Sequence, residues 1–146
     1  MTEEYDFEKL SREIIVGQLK DSPNAPSAAA ELARQMIIKG VLGTQVRQDP
    51  RLTVSAVCRG VLSGILLIEK DLPQTAVEVL SQMSAISQEV PLDPGDLMTW
   101  AMEGMAQVAQ TAGGAAQSAI QEHLEERYMG TGVVFSSLCR KTRSSG

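Results

Sequence analysis

Four Asp/Pro signals divide the chain and constrain its architecture more than any other feature. They are "DSP" at 21–23, "DP" at 49–50, "DLP" at 71–73 and "DPGD" at 93–96. An aspartate at a helix start accepts hydrogen bonds from backbone N–H groups that have no partner inside the helix. Proline tolerates the first turn because its missing N–H has no role there. An apolar run of helical period follows each signal, so each predicts a helix start. The signals recur every 22 to 28 residues, room for one helix and a loop, and no side-chain motif recurs with them, so a solenoid is not indicated.

Between the signals the apolar spacing predicts helices. The first spans Phe7 to Leu19, with Leu10, Ile14 and Leu19 towards one side. The second runs from about Ser27 to Val46, with Ala29, Leu32/Ala33, Met36/Ile37 and Gly40/Val41 inward. The third is "RLTVSAVCRGVLSGILLIEK", Arg51 to Lys70. The fourth runs from Gln74 to about Gln88 on Ala76, Val79/Leu80, Met83 and Ile86/Ser87, and the prolines of "VPLDPGD" end it. The fifth starts near Pro94 and reaches towards Met129, with a break or kink expected at Gly113–Gly114, since each glycine costs about 1 kcal/mol against Ala.

After "MGTG" the segment "VVFSSLCRKTRSSG" shows no helical period; "GVVF" reads as a short strand or an extended docking segment. No Asn-Gly or Asp-Gly hairpin signal joins alternating runs. Aromatics make up only 3% of the chain and apolar residues 43%, so the core must be aliphatic and rich in Ala, which favours helices. The expected fold is all-α, a compact bundle of five or six helices over 1–129. A non-helical C-terminal tail over 130–146, flexible or docking, completes it.

The third helix poses the sharpest question. Between its charged ends lie 17 residues, Leu52 to Ile68, with Arg59 as their single charge. A membrane span needs about 20 mainly apolar residues. A central Arg opposes insertion by about 2.5–3.5 kcal/mol. No membrane span is therefore expected; a helix apolar nearly all round belongs at a bundle centre. Gly60-x-x-x-Gly64 offers a flat strip for a neighbouring helix. Arg59 either reaches the surface or pairs with a carboxylate of a neighbouring helix, or it recognises an anion or a partner.

From Leu97 to Gln121, 25 residues carry one charge, Glu103. Met98, Met102 and Met105 fall at i, i+4 and i+7, with Trp100 on another face. The stripe reads either as core or as an adaptable surface for a partner helix or an apolar ligand. A helix solvated on one face usually carries more Lys and Glu, so this segment points to self-association.

Local signals for chemistry are few. His123 is the single histidine, and "QEHLEERY" lacks the Glu-x-x-His pairs of a di-iron bundle. No phosphate-binding loop or local nucleophile motif appears. Cys58 and Cys139 lack metal or disulfide spacing. No cofactor or metal is expected. The net charge of −5 argues against duplex nucleic acid as a partner. The acidic start "MTEEYDFEKL" lacks the apolar core of a secretory signal, which makes the cytoplasm the default expectation.

The expected function is non-catalytic: protein–protein interaction or oligomerisation, as a homo-oligomer or a small accessory subunit. Candidate contacts are Arg59, Gly60, Gly64, Met98, Trp100, Met102, Met105 and, in the apolar-then-basic tail, Phe135, Arg140 and Lys141. The alternative is a bundle that holds an apolar small molecule or lipid in an internal cavity.

Overall fold

The Asp/Pro punctuation works as the sequence indicates. In the computed structural model, which describes residues 6–43 and 48–145, the helices are α1 (Phe7–Leu19), α2 (Ala25–Leu42), α3 (Pro50–Leu67), α4 (Leu72–Ser81), α5 (Met83–Glu89), α6 (Pro94–Ala112), α7 (Gly114–Arg127) and α8 (Thr131–Ser145). Asp49, Asp71 and Asp93 cap α3, α4 and α6, each accepting a backbone N–H in the first turn, with proline following. Asp6 caps α1 in the same way. The first signal acts one step late: α2 begins after Asn24, with Pro26 in its first turn, and Asp21–Pro23 forms the preceding loop.

The fold is all-α among the described residues. α4 and α5 abut at Gln82, whose backbone is still right-handed helical, so they run as one interrupted helix and the described chain holds seven helices rather than five or six. The predicted break at Gly113 is present: Gly113 takes φ 107°, closing α6 and opening α7. Positions 44–46 of the second predicted helix, and the start of the chain at 1–5, lie outside the described residues.

The C-terminal segment departs from expectation. It is neither a strand nor a non-helical tail: Thr131–Ser145 is helical and packs against α6 and α7. Gly132, Phe135 and Cys139, at spacings of three and four, are buried. Two features set its start. The Glu125 carboxylate accepts the N–H groups of Gly130 and Gly132, and the Thr131 hydroxyl donates to the carbonyls of Leu124 and Tyr128. The face was hidden in the sequence because adjacent β-branched residues and serines interrupt it.

α3 occupies the centre. Val54, Val57, Cys58, Val61, Leu62 and Ile65 are fully buried. The most extensive pairings run α1–α3–α6–α8 in one row and α2–α4–α7 in a second, which closes over the inner side of α3. α3 is the one helix among the described residues long and apolar enough to cross a membrane, and more than half of it is buried within the protein.

Small residues let the first row pack closely. At Gly60 the backbone of α1 passes so near that a Cβ would fall 2.3 Å from the Glu8 carbonyl oxygen; at Gly64 it would fall 2.7 Å from Ile15. On the other side Gly104 of α6 sits against the Ser55 carbonyl, where a Cβ would again stand at 2.3 Å. The Gly60/Gly64 strip therefore receives α1 of the same chain.

Candidate functional site: a groove along the central helix

With α1 and α6 drawn tightly onto α3, one stripe of α3 stays uncovered between them. It comprises Leu52, Ala56, Arg59, Ser63 and Leu66/Leu67, spaced four, three, four and three or four residues apart, which is one face of a helix. Leu52, Leu66 and Leu67 are exposed; Ala56, Arg59 and Ser63 are half-buried at the floor. α1 forms one wall through Glu8 and Arg12, and α6 forms the other through Gln107 and Thr111.

Arg59 spans the groove. Its Nε donates to Glu8 Oε1 at 2.7 Å, and its Nη1 donates to Gln107 Oε1. One guanidinium thus ties α1, α3 and α6 together, and this clasp divides the groove into two clefts. The larger, about 640 Å³, extends from Arg59 to Leu52, Asp49 and Gln48; the smaller, about 350 Å³, extends to Leu66, Leu67 and Val108. Both are lined by Glu8, Arg59 and Gln107.

Two turns before Arg59 on the same helix, Arg51 forms a second bridge. Its Nε donates to Glu103 Oε1 at 2.9 Å, while Nη2 donates to Glu103 Oε2. The paired fork is the geometry by which Arg holds a carboxylate most specifically. The hydrogen bonds that Arg51 donates to Glu103, reinforced by the carboxylate's charge, raise the Arg51 pKa above its ordinary value. Arg51, Glu103 and Gln107 also line a third cleft, of about 550 Å³, closed by Leu138, Lys141 and Thr142 of α8.

Of the two readings of Arg59, pairing with a carboxylate on a neighbouring helix is realised, yet the residue is 27% exposed and faces an open groove. From the sequence, Glu8, Arg51 and Gln107 carry no site role and Glu103 has no assigned partner. A signal was present: Glu103 is the lone charge of a 25-residue stretch, and such a charge needs a partner. The pairing itself is crosswise, Glu103 with Arg51 and Glu8 with Arg59.

The other candidates lie elsewhere. Met102 and Met105 are buried in the core, with Met98 and Trp100 packed partly buried against it. Phe135 is a fully buried core residue rather than an available contact. Arg140 and Lys141 are exposed on α8, Lys141 at the edge of the third cleft. Cys58 is fully buried, and that burial pushes its thiol up to about 12. His123 Nδ1 donates to the Ala119 carbonyl one turn back. Among the described residues no three His, Cys, Asp or Glu side chains gather as a metal would require. No family model, curated protein or solved structure matches this chain.

Proposed function

We propose that this protein is a non-catalytic interaction module whose groove along α3 binds a helical segment of a protein partner. The observation that carries this reading is the uncovered stripe. Leucines stand exposed at both ends, and polar groups of Glu8, Arg59 and Gln107 cross its middle. Leu52 and Leu67 are 15 residues apart, about 22 Å along a helix. A partner helix of about four turns, apolar at its ends and polar at its centre, matches that layout; helix-in-groove recognition uses anchors of this kind. The fully buried positions of α3 already have neighbours in the fold, whereas these leucines keep water contact, which makes them suited to burial on association.

The test is binding by three chains: the unaltered one, Leu67→Glu and Arg59→Ala. Leu67 is 65% exposed, so its substitution leaves melting unchanged and abolishes capture of the partner. Arg59→Ala weakens capture and also lowers melting modestly, because it releases α1 and α6. Unchanged capture by Leu67→Glu would sink the proposal.

A further inference from the structure

We propose that α8 carries a self-complementary face through which two copies of this chain pair antiparallel. The outward side of α8 consists of Val133, Val134, Ser137, Arg140 and Lys141, all exposed. Val133 is 71% exposed and Val134 41%, and Met129, just before the helix, is 94% exposed. β-branched side chains left in water on a helix otherwise well packed on its inner side call for cover.

Charge supplies the identity of that cover. Residues 131–145 contain three cations and no acid, in a chain whose net charge is −5. The cations fall in the second half of α8. Beside its first half the sign reverses: Glu122, Glu125 and Glu126 of α7 line a cleft with Gly132 and Val133. One continuous face thus has an acidic end, apolar residues next to it and a basic end. An anionic membrane would be repelled by the acidic end. A second copy turned end for end meets opposite charge at both ends, as an isologous twofold contact requires.

The register follows from helix geometry. Val133 and Arg140 are seven residues apart, about 10 Å along α8. Antiparallel pairing centred near Ser137 lays the aliphatic stem of Arg140 of one copy over Val134 of the other, and its guanidinium reaches on to the acids beside Val133. Glu125 is already engaged with the Gly130 and Gly132 N–H groups, so Glu122 and Glu126 are the acids left to answer Arg140. Arg140 itself makes one local bond, Nη1 to the Ser136 hydroxyl at 3.3 Å, which leaves most of its donors available. The surface does not use Arg59 or the groove floor, so this inference stands apart from the partner-binding reading.

Light scattering and sedimentation of the full chain over a concentration series test it. The expected result is a mass that rises from one chain to two and a dimer that weakens with salt. Arg140→Glu reverses charge at both ends of the twofold contact and weakens the dimer about tenfold, as does Glu126→Arg. The double variant Arg140→Glu/Glu126→Arg restores opposite charge at both ends and recovers association. Both sites are exposed, and unchanged melting confirms that each variant is folded. A chain that stays monomeric at every soluble concentration overturns the proposal. So does a dimer indifferent to the single reversals, or a double variant no better than either single one.

Discussion

Gly60→Ala probes the contact on which the groove depends. A Cβ at position 60 would stand 2.3 Å from the Glu8 carbonyl oxygen, 2.8 Å from Ser11 Cβ and 3.0 Å from the Glu8 carbonyl carbon. Carbon and oxygen approach to about 3.3 Å at closest in favourable contacts, so α1 must withdraw by about 1 Å. A gap of that size forfeits about a quarter to a half of the dispersion attraction across the seam, where Ser11 and Ile15 are buried. Overpacking costs about 1–3 kcal/mol, and the upper end applies because a backbone carbonyl cannot rotate aside as a side chain can. Alanine regains about 1 kcal/mol over glycine within a helix. The net loss is about 2 kcal/mol, or roughly 4–8 °C in Tm for a chain of this size. Circular dichroism melts measure it, with Gly17→Ala of α1 as the control: no packed neighbour lies within 4 Å of a Cβ there, so that change stabilises by about 0.5–1 kcal/mol. Gly60→Ala melting at or above the unaltered chain would refute the reasoning, and so would a fall in Gly17→Ala equal to that of Gly60→Ala.

Other outcomes follow from the same packing. Phe135→Ala removes a fully buried ring from α8 and should cost about 3–5 kcal/mol in denaturant titration; a loss under about 1 kcal/mol would mean that α8 does not belong to the core. Cys58, buried with its thiol pushed up to about 12, should resist alkylation at pH 9 until the chain unfolds, and rapid modification of the native protein would contradict that burial. The sign of the linked pH effect follows: the folded chain keeps the proton, whereas the unfolded thiol loses it above about pH 8.5. This contribution to stability is therefore complete below about 8.5 and declines as pH rises towards 12, a decline that Cys58→Ala should remove from the pH–stability curve.

Much of the architecture was legible because its signals are local. Asp49, Asp71 and Asp93 each act within one turn of themselves, and Gly113 breaks its helix through its own backbone angle. The stretch around Arg59 was readable as a central helix, because a helix apolar on nearly every face needs neighbours on nearly every face. α8 was missed for a physical reason. Phe135 and Cys139 give it a thin buried face, and its start depends on Glu125 and on the carbonyls of Leu124 and Tyr128, which belong to the preceding helix and turn. The site was half-legible. Arg59 stood out as the single charge in an apolar run, but its partners Glu8 and Gln107 lie 51 and 48 residues away. Nothing in local spacing could choose between Glu8 and Glu103 as its carboxylate. The methionine stripe had the period of a buried face and of a binding face alike; Met102 and Met105 are buried.

The central claim is that the groove along α3 holds a partner helix. A photo-reactive residue placed in turn at Leu52, Ser63 and Leu67 along the groove, and at exposed Gln35 of α2 as the reference, tests it most directly. After irradiation in cells that make the protein, the account predicts one adduct of the same mass at all three groove positions and none at Gln35. No adduct in the groove, or adducts equally frequent at Gln35, would contradict it.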